Sequence, residues 1–173
     1  MTLYALDPGP LQSALVICEA TDAGLIVRDH CHALNGAVLE MILHAPLDAT
    51  LVIERIASMG MIVGEEVFET IHWSGMFYQA WRGMRKHRLT RRAIKLHLCG
   101  SNQAKDANVR AVLLDRYGGK ALAIGRKASP GPLYGLHGHG LAALAVAVTW
   151  IETHPSNGVT NRVTPVSSGF QLR

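Results

Sequence analysis

Residues 140–152, Gly-Leu-Ala-Ala-Leu-Ala-Val-Ala-Val-Thr-Trp-Ile-Glu, form an apolar surface on nearly every side when wound into a helix. A helix without a solvent face must be covered all round. The apolar part, Leu141 to Ile151, is too short to cross a bilayer, which takes roughly 20 residues. Burial against a sheet is the remaining solution, and it points to an α/β layer arrangement.

The strands of that sheet are visible upstream. Leu3 to Leu6 is a short apolar run that ends at Asp7-Pro8-Gly9-Pro10, a strand entering a tight turn. Ser13 to Glu19 and Leu25 to Ala33 read as second and third strands around a Thr21-Asp22-Ala23-Gly24 turn, so an antiparallel meander is expected. Gly36 to His44 reads as a short helix closed by Pro46, and Ala49 to Ile56 as a buried fourth strand. Gly64 to Met84 reads as a longer helix, with Val67, Ile71, Met76, Tyr78 and Trp81 on its apolar face. Its early acids, Glu65, Glu66 and Glu69, suit the positive end of the helix dipole. Ala93 to Cys99 is expected as the fifth strand, followed by a turn at Gly100-Ser101-Asn102. Gln103 to Tyr117 is then a helix stopped by Gly118-Gly119, and 120–136 is loop-rich. These elements predict a mixed five-stranded sheet flanked by helices, one domain over 1–154, with 155–173 a flexible tail.

Composition narrows the classes. Apolar residues are 49% and charged residues 17% of 173, which excludes a disordered chain and supports one domain with a real core. Met1 leads into Thr-Leu-Tyr-Ala-Leu-Asp with neither a basic start nor a long apolar run, so a cytoplasmic protein without a signal peptide is expected. The 3 cysteines, Cys18, Cys31 and Cys99, sit in apolar stretches without a Cys-x-x-Cys pair, which favours free thiols over disulfides or a zinc ribbon. His30 and His32 share one face of the third strand and read as ordinary strand histidines.

The net charge is +4, but its distribution says more. No acid occurs between Glu69 and Asp106, whereas that stretch holds Arg82, Arg85, Lys86, Arg88, Arg91, Arg92, Lys95 and Lys105. Such a block suits a phosphate-tracking surface, and equally a solvated helix end.

Three elements carry possible chemistry. Asp7 at its strand end fits either a turn cap or a metal ligand. Glu54 interrupts the buried run Leu51-Val52-Ile53 and needs a partner, either Arg55 or a metal ion. Gly135-Leu136-His137-Gly138-His139-Gly140 places two imidazoles at the entry to the apolar helix, as ligands or as incidental loop residues. Together, carboxylates at two strand ends and an imidazole at a helix start can converge on a pair of Mg²⁺ or Mn²⁺ ions. Two ions about 4 Å apart activate water and stabilise the leaving oxygen in phosphodiester hydrolysis.

Several of these segments resemble the RuvC-type Holliday junction resolvases of the RNase H-like superfamily. Tyr4-Ala5-Leu6-Asp7-Pro8-Gly9 resembles that family's first strand, and Val52-Ile53-Glu54 its fourth-strand acidic motif. Gly75 sits where the family has a glycine, and Gly100-Ser101 with Lys105 to Arg110 resembles the lead into its next helix. His139-Gly140-Leu141-Ala142-Ala143-Leu144-Ala145 resembles its closing helix, usually Asp-x-x-Asp-Ala-Leu-Ala. The resemblance implies an RNase H-like fold and a crossover junction endonuclease that cleaves branched DNA as a homodimer. It implies Asp7, Glu54 and His139 as metal ligands, with two Mg²⁺ or Mn²⁺ ions. The basic block then supplies the expected DNA contacts, Arg82, Arg85, Lys86, Arg88, Arg91, Arg92 and Lys105. Similar short forms occur in phage and prophage, so phage DNA branches are an expected substrate.

One departure stands out. The second acid of the closing motif falls on Ala142, which holds no metal. His137 is the expected substitute, while Asp106 reads as a helix cap rather than a ligand. The alternative reading is a DNA-binding protein of the same fold with weakened or lost catalysis. Trp73, Phe77 and Tyr78 could stack on bases or form a dimer interface, although core packing is the commoner fate of such residues.

Overall fold

Strand β1 (Thr2–Asp7) divides by parity: Leu3 and Ala5 enter one hydrophobic core, Tyr4 and Leu6 another. Both faces of a strand are buried only when the sheet is covered on both sides. The computed structural model, which describes residues 1–22, 24–57 and 63–154, shows that arrangement. The predicted flexible tail lies outside the described residues.

Strand β2 (Gln12–Thr21) runs antiparallel to β1, and β3 (Gly24–Leu34) antiparallel to β2, the expected meander. Helix α1 (Asn35–Leu43) crosses to β4 (Thr50–Arg55), which pairs parallel with the other side of β1. Helix α2 (Glu65–Ala80) then leads to β5 (Arg85–Thr90), parallel to β4. The sheet order is β3-β2-β1-β4-β5. Helices α3 (Arg91–Cys99), α4 (Asp106–Arg116) and α5 (Lys120–Ile124) follow. A small hairpin, β6 (Gly125–Arg126) with β7 (Ser129–Pro130), precedes α6 (His139–Thr153).

Helix α6 lies across β1, β2 and β4 as its composition demands, with Leu144 through Val148 all at 0% exposure. Its alanines let the helix approach the sheet closely, and α3 and α4 complete this layer through Ile94, Leu98, Val109 and Leu113. On the opposite face Val38, Ile42, Phe77 and Trp81 of the α1–α2 side pack on Tyr4, Leu6, Leu15, Leu51 and Ile53. No described helix is long and apolar enough to cross a membrane. The three cysteines are free thiols, with Cys18 fully buried.

Three expectations are corrected. The fifth strand is Arg85–Thr90, and the segment expected as strand, Ala93 to Cys99, belongs to α3. The Thr90 side chain caps α3 by accepting from the Ala93 N–H at 3.2 Å, and Gly100 ends it at φ 69°. Helix α2 buries Thr70, Ser74 and Phe77, whereas Ile71 and Met76, expected inside, are exposed together with Phe68. The loop-rich stretch contains α5 and the β6–β7 hairpin.

Candidate functional site

The parity that sorts the core also places the acids. Leu3 and Ala5 face α6, so Asp7 does too; Val52 faces α6, and Glu54 follows it on the same side. The β1–β4 register pairs Leu6 with Ile53, and the next step sets Asp7 beside Glu54. Both carboxylates sit at the C-terminal ends of adjacent parallel strands in the middle of the sheet, where α/β folds place their ligands. Their side chains are only 13% and 9% exposed.

The third expected group arrives from far along the chain. Gly138 holds φ 50°, a left-handed conformation that turns the loop into α6 and starts the helix at His139. His139 Nδ1 lies 2.9 Å from Asp7 Oδ2. With Asp7 ionised, Nδ1–H is the donor, and Nε2 faces away from Asp7. An open cleft of about 570 Å³ is lined by Asp7, Glu54, His139, Arg91, Asp106 and Ala142, among others. Ala142 thus stands on the wall of the same cleft, one helical turn in from His139.

The partner of Glu54 is Arg91, not Arg55, which is exposed. Glu54 pairs across the sheet with Leu89, and two residues later the chain has entered α3, so Arg91 projects over the end of β4. Arg91 Nη1 donates to Glu54 Oε2 at 3.0 Å, and Nη2 donates to Asp106 Oδ1 at 2.7 Å. Lys95 Nζ stands 3.3 Å from the same Asp106 oxygen. Asp106 is therefore not the cap expected from its position: the fold brings it to the cleft, where two cations hold its carboxylate.

The electrostatics of the two strand-end acids are unusual. Burial raises the pKa of Asp7, opposed by the hydrogen bond and charge of His139 and by Arg91. Burial pushes Glu54 up to about 7, and Asp7 adds to the rise while Arg91 opposes it. Asp106 is held below its usual value: its burial is outweighed by Arg91 and then Lys95. Burial works against the Arg91 charge, but Glu54 and Asp106 keep its pKa raised. Buried Glu54 and largely buried Asp7, repelling each other, are with an imidazole the donor types that Mg²⁺ or Mn²⁺ takes, and a bound cation would relieve that repulsion. Among the described residues, however, no group of three His, Cys, Asp or Glu side chains stands arranged to hold a metal.

His137 lines a second cleft, which shares His139 as a wall with the first and also contains His30 and His32. Its Nδ1 lies 2.8 Å from the Gly135 carbonyl oxygen. His32 is the residue the linear reading missed. Asp7 pairs with Ala14, and Ala14 with His32, so the three form one row on the α6 side. The His32 ring stands 5.0 Å from that of His139.

The basic block is divided. Arg85 donates to the Asp48 carbonyl, and Lys86 to the Tyr78 carbonyl at 3.1 Å. Arg88 lies over the Tyr78 ring at 3.9 Å, Arg91 is in the cleft, and Arg82, Arg92 and Lys105 are exposed. Phe77 is in the core, and Trp73 and Tyr78 pack against it, partly buried.

No family model matches the chain, and no curated protein matches its sequence. Solved structures do. RuvC from Thermus thermophilus superposes with a TM-score of 0.60 at 18% identity, covering 86% of this chain and 92% of its own. The same protein in complex with a Holliday junction substrate gives 0.59 at 18% identity, with the same coverage of both chains. Likeness at that identity speaks for architecture, and with the mixed five-stranded sheet between helical layers it gives this chain a RuvC-like, RNase H-like fold.

Proposed function

We propose that this protein is a divalent-metal-dependent endonuclease of branched DNA, with a four-way junction as its preferred substrate. The observation that carries the reading is the pairing of two acids, largely buried Asp7 and buried Glu54, at adjacent strand ends in an open cleft, with His139 bonded to Asp7. Asp7, Glu54 and His139 would hold Mg²⁺ or Mn²⁺, and the ion when bound supplies an activated water and a counter-charge for the leaving oxygen. Without the ion, Asp7 holds His139 in the cleft by accepting its Nδ1–H. The exposed Arg82, Arg92 and Lys105 would contact backbone phosphates, as would Arg110 in the cleft wall. A two-fold homodimer suits a junction with paired cuts, and the exposed Phe68, Ile71 and Met76 of α2 offer an apolar face for it.

The test is cleavage of synthetic four-way junctions with Mg²⁺ or Mn²⁺ by the natural protein, Asp7→Asn and Glu54→Gln. Flaps, forks and RNA–DNA hybrids run in parallel. Cleavage that requires both acids and prefers the junction supports the reading. Junction binding without cleavage under either metal overturns it in favour of a non-catalytic DNA-binding protein. Ala142, at the position of the family's second acid, is the observation that favours that second reading.

A further inference from the structure

We propose that the second cleft, beside His139, is a slot for one unpaired DNA base, with His32 as the ring on which the base stacks. The inference rests on the branched-DNA reading above and names where a base of that DNA goes.

The two clefts differ in charge. The first is lined by Asp7, Glu54, Asp106, Arg91 and Arg110, and its exposed Arg110 suits a backbone phosphate. The second, of about 590 Å³, has no Asp, Glu, Lys or Arg among its described lining residues; imidazoles and glycines dominate it. The clefts meet at Gly138 and His139, which belong to both. Gly138 faces open space, with nothing within 4 Å of where a Cβ would stand, so no side chain divides the clefts at that point. A ligand that carries a charged group and, one link away, an uncharged flat ring with polar edges is a nucleotide.

His30 and His32 alternate along β3, and both face the α6 side, His32 in one row with Ala14 and Asp7. His32 is exposed, and its ring partner is His139, with the two planes 33° apart. Among the described residues neither nitrogen of His32 makes a hydrogen bond. The other imidazoles are each held through one nitrogen: His137 Nδ1 lies 2.8 Å from the Gly135 carbonyl oxygen, and His30 Nε2 lies 3.4 Å from that of Tyr134. The second nitrogen of each can meet the polar edge of a base. Aromatic rings, histidine among them, hold splayed-out bases by stacking, whatever the base. Drawing a base out of a duplex costs pairing and stacking, least where it is already unpaired. Such a slot therefore favours DNA with a free base near the bound phosphate, as at a branch point, over an intact duplex.

The experiment uses the full chain in EDTA, so that neither metal nor cleavage enters it. Synthetic four-way junctions carry 5-iodouracil at one position around the crossover at a time, and light-induced cross-links are mapped by peptide mass spectrometry. Cross-links to residues 30–32 and 135–139, from a position beside the crossover, are expected. An abasic site at that position should weaken binding by the natural protein about tenfold, the scale of one lost base–ring stack. The same abasic site should cost His32→Ala less than about twofold, a comparison that isolates the base–ring contact. His32→Phe, which keeps a ring, should respond as the natural protein does. Cross-links confined to other segments overturn the proposal, as does an equal abasic penalty for the natural protein and His32→Ala; both results leave the branched-DNA reading intact. No junction binding at all overturns both. Folding of the variants is checked by circular dichroism, and the cross-link map of the natural chain decides the matter even if His32→Ala fails to fold.

Discussion

The two faces of the central sheet are built from the same strands, yet only one ends in chemistry. On the α6 face Leu3, Ala5 and Val52 lead to Asp7 and Glu54, and the covering helix delivers His139. On the α1–α2 face Tyr4, Leu6, Leu51 and Ile53 pack on Val38, Ile42, Phe77 and Trp81, with no acid at the strand ends. A shift of one residue in strand phase would exchange the two outcomes. The lesson is that the site is an extension of core alternation, carried one position past the last apolar residue.

That contrast can be broken or sharpened in graded steps. Asp7→Asn should lower junction cleavage at least about a hundredfold, the scale of losing a preorganised electrostatic group, with junction binding retained. Comparable loss of binding would place Asp7 in the scaffold instead. Truncating either layer should cost stability: Phe77→Ala about 3–5 kcal/mol and Leu144→Ala about 2–5 kcal/mol in urea unfolding. Only Leu144→Ala, on the buried face of the helix that carries His139, should also weaken Mn²⁺ binding. Equal effects on Mn²⁺ binding from both would erase the distinction between the faces.

A smaller effect comes from the protonation of Glu54. Its pKa rises from 4.5 in the unfolded chain to about 7 in the fold. Between those values the folded state binds more protons, so metal-free stability falls as pH rises through the window and levels off above about 7. Glu54→Gln removes that penalty and should stabilise the metal-free protein above the window by at most about 3 kcal/mol, and by little below it. Urea melts on both sides of the window check the sign. The smallest effect on folding is expected from Phe68→Glu on the outer face of α2, within about 0.5 kcal/mol for the monomer. Sedimentation should nonetheless show a loss of dimer, and a natural protein that sediments as a monomer would remove that face from the argument.

How much of this could be read from the linear chain depended on whether a pattern was local. Asp7 and Glu54 stood out because each ends an apolar strand, and α6 because its apolar surface needs cover on every side. The fifth strand, Arg-Lys-His-Arg-Leu-Thr, did not. It is an edge strand guarded by cations, a common defence against edge pairing, and has no apolar alternation. Ile94, Leu96 and Leu98 imitated a strand by alternating, although only Ile94 and Leu98, one helical turn apart, are buried and Leu96 is 54% exposed. Thr90 as a cap and Gly100 as a stop were the signals that decide between the two. Arg91, Asp106 and His32 join the site through registers and helix packing, which no spacing along the chain displays.

The Asp7–His139 contact spans 132 residues and joins the first strand to the last described helix. During synthesis the sheet is therefore made well before the helix that covers one of its faces. Until α6 docks, Leu3, Ala5, Val16 and Val52 lack their cover, and Asp7 lacks its imidazole. Closure of so long a loop is a slow, non-local event. A partly made chain consequently exposes apolar strands but owns no complete cleft, and the Asp7–His139 pair can form only in a molecule that has already finished folding.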